Sequence, residues 1–175
     1  MGIGDRPFSV ASPNCEETVR EGETPQALVL RLAELKARSC PVTSPSLIIG
    51  SDQVCVIDGK IVGKPHTRAK AIQQLQAQSG KSITFYTGVA LYNTETDHCD
   101  VELDTFIVHF RQLTDSMIES YVNIEEPYFC AGSFKSEGLG IALFEKLEGK
   151  APNTLVGLPL ITLIAMLEKQ GMRAI

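Results

Sequence analysis

The sequence predicts one α/β domain in which helices flank a mixed β-sheet, arranged as two lobes. Three observations predict it: an apolar helical stripe at Leu28, Leu32 and Leu35, a short apolar β-prone run at 46–49, and two longer β-prone stretches at 82–92 and 101–111. No internal repeat, low-complexity tract or shift in composition interrupts residues 1–175, which are therefore read as a single domain.

Thr24 and Pro25 read as the N-cap and first position of a helix that carries the leucine stripe to about Ser39, with Lys36 near its end. The buried strand Ser46-Leu47-Ile48-Ile49 is followed at once by Gly50-Ser51-Asp52-Gln53, so two polar side chains are expected at a strand's C-terminal end, where open α/β sheets place their ligands. Asp58-Gly59 between two apolar arms is a type I′ hairpin signal, and the second arm is expected to fold Lys64 back towards Asp52. Residues 67–78 form an Ala- and Gln-rich helix closed by Gly80 as the residue after its C-cap. The stretches 82–92 and 101–111 are joined by a polar segment at 93–100, and Thr114 caps a helix to about Val122. Residues 130–144 read as a glycine-bearing loop that runs on through 147–149 towards Asn153, and a last helix spans about 159–170, with Gly171 just past its end.

Composition narrows the function. The 175 residues carry 16 Lys and Arg against 21 Asp and Glu, a net charge of −5, with 43% hydrophobic and 21% charged residues. This suits a soluble globular domain with its own core and argues against a nucleic-acid polymer as partner, since such proteins usually carry a basic stripe that displaces counterions. A small anionic substrate stays compatible, because a few lysines in a cleft can invert the local field. The longest apolar stretch, 155–167, is broken by Gly157, Pro159 and Thr162 and is shorter than the roughly 18 residues a spanning helix needs, so no membrane association is expected. The first residues, MGIGDRPF, lack the basic and apolar regions of a secretory signal. The five cysteines (Cys15, Cys40, Cys55, Cys99, Cys130) have neither a CxxC pair nor zinc-ligand spacing and read as reduced thiols of a cytoplasmic protein.

The glycines of 130–144 match neither a P-loop nor a dinucleotide fingerprint, and His66, His98 and His109 are isolated enough to read as solvated or core histidines. More informative is a set of polar residues at element ends: Glu17, Lys36, Asp52, Gln53, Lys64, Lys135 and Glu137. Acidic oxygens suit Mg²⁺ and can deprotonate a water, and lysines neutralise charge growing on a leaving pyrophosphate. Together they are the equipment for phosphoanhydride hydrolysis, although any one of them alone also fits a solvated surface charge.

At these residues the sequence resembles a known family. The strings Ser51-Asp52-Gln53-Val54, Gly63-Lys64-Pro65, Phe85-Tyr86-Thr87-Gly88, Ala131-Gly132-Ser133-Phe134-Lys135-Ser136-Glu137-Gly138 and Asn153-Thr154-Leu155-Val156-Gly157-Leu158-Pro159-Leu160 resemble those of the Maf nucleotide pyrophosphatases, most of all the bacterial subgroup acting on 7-methyl-GTP. The resemblance implies a long, curved mixed sheet with flanking helices, as in the inosine triphosphate pyrophosphatases, with the nucleotide in a cleft between two lobes. It implies hydrolysis between the α and β phosphates with a divalent cation, Mg²⁺ or Mn²⁺. Asp52 stands at the family's proton acceptor, Glu17 at an acidic residue that with Asp52 holds the metal, and Lys36 and Lys64 at phosphate-facing lysines. Gln53 and Glu137 align with base-selecting positions. Other subgroups commonly carry Thr after the aspartate, and a carboxylate favours a base made cationic by methylation. Related triphosphates such as GTP or CTP are the runner-up substrates, and a homodimer is an expected assembly because family members are often dimers.

One departure shapes a further expectation. The family's Ser-x-Ser-Pro-x-Arg-Arg motif, on a first strand and helix, has no counterpart, and Met1-Gly2-Ile3-Gly4 corresponds to the end of that helix. The chain is therefore expected to lack about 20 to 25 residues, a strand plus a helix. Losing one preorganised charge-stabilising donor costs about 100- to 1000-fold in rate, so a feeble or inactive enzyme is expected, or a nucleotide-binding regulatory protein as the alternative.

Overall fold

Local signals and non-local packing together build four α-helices and five strands among the residues described, 8–173, of a computed structural model. The expectation for Met1-Gly2-Ile3-Gly4 lies outside the described residues. In chain order the elements are α1 (Pro25–Arg38), β1 (Leu47–Ile57), β2 (Lys60–Val62), α2 (Arg68–Gln78), β3 (Ser82–Asn93), β4 (His98–Phe110), α3 (Asp115–Glu125), β5 (Phe144–Glu148) and α4 (Leu160–Lys169). The two predicted caps are in place, and Thr67, read as the first helical residue, is a third: the hydroxyls of Thr24, Thr114 and Thr67 accept from the backbone N–H of Ala27, Met117 and Lys70. The β1–β2 turn has positive φ at both central residues, 48° at Asp58 and 76° at Gly59, the backbone that a type I′ hairpin requires.

The five strands form one sheet in the order β2-β1-β3-β4-β5. β1 pairs antiparallel with β2, and β4 with β5. Ser46, just before β1, bonds Thr94, just after β3, and Ser51 reaches the Gly88 carbonyl, so β1 and β3 also run antiparallel. A short turn joins β3 to β4, and Phe110 N–H donates to the Lys81 carbonyl at the other end of that hairpin. The sheet is thus antiparallel where a mixed one was expected, because α2 returns the chain beside β1 pointing the opposite way.

Three local expectations also change. β1 does not stop at Ile49: the β-branched and apolar residues of 54–57 continue it, so Asp52 and Gln53 lie in mid-strand. The polar 93–100 segment is mostly strand and a tight turn, in which Asn93 Oδ1 accepts from the N–H of Glu95 and Thr96. Residues 144–148, read as loop, form β5, whose register against β4 shifts at His109/Phe110.

The chain folds as two units of interleaved segments. The first comprises the residues up to Asp52, Thr87–Asp104, and those from Gly157 on. One apolar cluster there joins Val89 and Leu91 to Leu163, Met166 and Leu167 of α4, and another joins Ala33 and Ala37 of α1 to Ile48 and Ala90. Glycines allow α1 to lie directly on the strands: a Cβ at Gly50 would sit 2.2 Å from the Ala33 carbonyl oxygen, and one at Gly88 2.2 Å from that of Val29. The second unit comprises Gln53–Tyr86 and Thr105–Val156. Its core is aromatic, with Phe134 edge-on to Phe85, Phe110 and Phe144 at centroid distances of 4.9–5.7 Å. No helix among the described residues is long and apolar enough to cross a membrane.

Candidate active site

In the first unit, the period-two geometry of β1 sets Ile48, Gly50 and Asp52 on one face, and α1 packs directly on Gly50. Lys36, in the last turn of α1, follows Leu32 and Ala33 on the buried side of the helix, and its cation also complements the helix C-terminus. The two side chains consequently meet: Lys36 Nζ donates to Asp52 Oδ1 at 2.6 Å. Glu17, on the irregular segment before α1, brings Oε1 to 3.2 Å from the same ammonium. Asp52 is 12% exposed at its side chain and Glu17 54%, so one carboxylate is enclosed and the other faces solvent.

Electrostatics differ across this trio. Burial raises the Asp52 carboxyl from its ordinary value, outweighing the hydrogen bond and charge of Lys36. Burial also works to lower Lys36, but the hydrogen bonds and charges of Asp52 and Glu17 prevail and its pKa is raised. Lys36 is thereby held cationic beside a carboxylate whose basicity is enhanced.

In the second unit, Gln53, Lys64 and Glu137 line one cavity of about 310 Å³, together with Phe129, Cys130 and Phe134. That volume lies at the small end of the range for ligand sites. Gln53 donates through Nε2 to the Thr154 carbonyl at 2.5 Å, which fixes the orientation of its amide. The wall at 130–138 is held from several sides. Phe134 anchors it in the aromatic core, Lys135 N–H donates to the Tyr121 hydroxyl, and Glu125 Oε1 accepts from Leu139 N–H. Lys135 Nζ donates to the Glu125 carbonyl and lies 3.6 Å from the Glu125 carboxylate, so this lysine braces the loop.

The six predicted site residues fall into two sets. Glu17, Lys36 and Asp52 meet in the first unit, and Gln53, Lys64 and Glu137 share the cavity of the second. Asp52 and Gln53 are consecutive, the last residue of one segment and the first of the other. His109 contacts Ser82 and Glu148 within the sheet, in keeping with its reading as a structural histidine.

Sequence reasoning missed two glutamines. Gln78, fully buried, donates to the Gly132 carbonyl at 3.0 Å, and the Ser133 hydroxyl bonds Gln74 Oε1. Ser133 itself holds a left-handed φ of 60°, a conformation a non-glycine residue keeps only when its surroundings impose it. Gln78 extends the Ala71–Leu75 stripe of α2, and a glutamine in an apolar stripe was the available signal.

Among the described residues, no group of three or more His, Cys, Asp or Glu side chains is placed to ligate a metal. Glu17 and Asp52 nevertheless converge on a single cationic centre, the Lys36 ammonium. That donor set fits Mg²⁺, a hard ion that commonly takes one or two carboxylates and completes its shell with water and substrate phosphates.

Comparison with known proteins follows the same lines. The family model described as "Maf-like protein" matches residues 1–170. A protein of Vibrio vulnificus named 7-methyl-GTP pyrophosphatase is 68% identical over 169 residues, covering 97% of this chain and 87% of its own. Proteins of the same name from Vibrio parahaemolyticus and Vibrio cholerae are 67% identical over 165 residues and 62% over 169. These matches cover 94% of this chain and 86% of the V. parahaemolyticus protein, and 97% and 88% for V. cholerae. With a family match across nearly its whole length and relatives this similar, the chain belongs to the Maf-like family.

Proposed function

We propose that this protein is a nucleotide pyrophosphatase that hydrolyses the α–β phosphoanhydride of 7-methyl-GTP, releasing 7-methyl-GMP and pyrophosphate. The observation that carries the chemistry is the Glu17–Lys36–Asp52 cluster, in which an enclosed carboxylate of raised basicity lies 2.6 Å from a lysine ammonium. The names of the Vibrio relatives support the substrate, as does a cavity that offers an amide and a carboxylate together.

In this reading Asp52 accepts the proton of the attacking water, a task suited to a carboxylate whose pKa is raised by burial. Lys36 stabilises negative charge developing at the reacting phosphate, and Lys64 does the same for the leaving pyrophosphate. Asp52 and Glu17 hold a divalent cation, Mg²⁺ or Mn²⁺, which when bound supplies further neutralisation of phosphate charge. Gln53 and Glu137 select the base: an amide and a carboxylate match the edge of guanine, and the carboxylate favours the cationic methylated form. This reading assigns the reaction to the cytoplasm, and the five free cysteines support it.

The test is pyrophosphate release from 7-methyl-GTP, GTP and CTP measured side by side with Mg²⁺. The expected result is the highest kcat/KM for 7-methyl-GTP and loss of turnover in Asp52→Asn. Equal rates on methylated and unmethylated substrates would remove the substrate assignment, and full activity in Asp52→Asn would remove the assignment of the base.

A further inference from the structure

We infer that the exposed ring of Phe129 is the platform on which the base stacks, and that this ring, acting with the Glu137 carboxylate, gives the cavity its preference for a positively charged purine. The inference rests on the reading of the chain as a 7-methyl-GTP pyrophosphatase and extends it to a residue outside the sequence-predicted set.

Phe129 is 71% exposed although it is an entirely apolar side chain, and it lines the same cavity as Gln53 and Glu137. The backbone that presents it is tied down on both sides. Tyr128 N–H donates to the Glu126 carbonyl, the Tyr128 carbonyl accepts from His66 N–H at 2.8 Å, and Cys130 N–H closes onto the Pro127 carbonyl. The ring is also steadied by an edge contact with His66, at 5.9 Å between centroids and 75° between planes. A single edge contact of this kind covers at most one face of a phenyl ring, so a face is left for a ligand. The apolar remainder of the lining, Phe85, Phe134, Leu155 and Val156, suits a flat heterocycle, and its polar groups are few.

Methylation at N7 places a positive charge on the guanine ring. A cation is drawn to the face of an aromatic ring by its quadrupole, and Glu137 in the same lining adds a formal negative charge. Lys64 also lines the cavity and opposes a cation, so the attraction must come from the Phe129 face and the Glu137 carboxylate acting together. GTP, whose base is neutral, retains ordinary stacking but lacks the cationic contribution. Truncating the ring should therefore penalise the methylated nucleotide more than the unmethylated one.

The experiment compares wild type, Phe129→Leu and Phe129→Trp in kcat/KM for 7-methyl-GTP and GTP, and in affinity for 7-methyl-GMP against GMP by calorimetry. Phe129→Leu should raise KM for 7-methyl-GTP with kcat largely kept, and should lower the methylated-to-unmethylated preference roughly 3- to 30-fold. Phe129→Trp should keep or increase it. The side chain is at the surface, and unchanged melting temperatures would show that both variants fold. An unaltered preference in Phe129→Leu, in an enzyme whose wild type favours 7-methyl-GTP, overturns the inference and leaves the proposed function standing. Failure of the wild type to turn over 7-methyl-GTP counts against the proposed function, and the 7-methyl-GMP to GMP affinity ratios of wild type and Phe129→Leu then decide the inference by themselves.

Discussion

Lys36 Nζ lies 2.6 Å from Asp52 Oδ1, a hydrogen-bonded ion pair between the last turn of α1 and the middle of β1. Burial lifts the Asp52 carboxyl and Lys36 restrains that rise. A base must be ionised to act, so the acid limb of the pH–kcat/KM profile should lie above the value of about 4 typical of a free aspartate. Lys36→Met removes the restraining cation, and the acid limb of its residual activity should move to higher pH. A limb that stays in place or moves to lower pH would show that Asp52 is not the titrating base.

The same shift has a consequence for stability. A carboxyl whose pKa is raised by folding contributes stability that is fully present below its unfolded pKa and lost as pH rises through the folded value. With this direction of shift, Asp52 contributes less to stability at neutral pH, where it is ionised, than it does below its unfolded pKa. Asp52→Asn substitutes a neutral amide of the same shape. It should melt no lower than wild type at pH 7 while turnover falls by about 100- to 10000-fold. Differential scanning calorimetry at pH 5 and pH 7 measures this, and the variant's relative gain should be larger at pH 7. A large fall in melting temperature would mean that the ion pair outweighs desolvation.

Much of this arrangement is legible in the sequence wherever the cause is local. Thr24-Pro25 starts a helix because a hydroxyl can satisfy an orphan N–H and proline needs no partner there. Asp58-Gly59 makes a hairpin because both residues tolerate positive φ. Where the cause is distant, the reading fails. Gly50 suggested the end of a strand, yet it is a strand residue whose missing Cβ admits the backbone of α1. Phe144–Glu148 has three charged residues in five and becomes a strand only because the edge of β4 is there to pair with it. The site divides the same way. Asp52 and Gln53 stand out by residue type, but the partner that orients Gln53, the Thr154 carbonyl, lies 101 residues along the chain.

The grip of α2 on the cavity wall gives a third prediction. Gln78 is fully buried and its amide satisfies the Gly132 carbonyl, next to Ser133 in its left-handed conformation. Gln78→Leu keeps the volume but leaves that carbonyl without its donor. It should cost about 1 to 3 kcal/mol in urea denaturation. It should also raise KM more than it lowers kcat, because the loop carrying Glu137 loses one of its anchors while the Lys36–Asp52 pair keeps its own contacts.

Two glycines separate steric from conformational roles. At Gly88 an added Cβ would lie 2.2 Å from the Val29 carbonyl oxygen and 2.6 Å from its carbon, both backbone atoms of α1 that cannot rotate away. At Gly59 the added Cβ would meet nothing within 4 Å, and the only cost is the φ of 76°. Gly59→Ala should therefore lose about 1 to 2 kcal/mol, the penalty for an L-residue in the left-handed region. Gly88→Ala must push the helix off the strands, which costs up to about 3 kcal/mol or more. Because α1 carries Lys36, that displacement also moves the ammonium relative to Asp52. Gly88→Ala should accordingly lose activity even at temperatures where it remains folded, whereas Gly59→Ala should keep wild-type kcat until it melts. Equal activity losses in the two folded variants would break the proposed link between α1 packing and the catalytic pair.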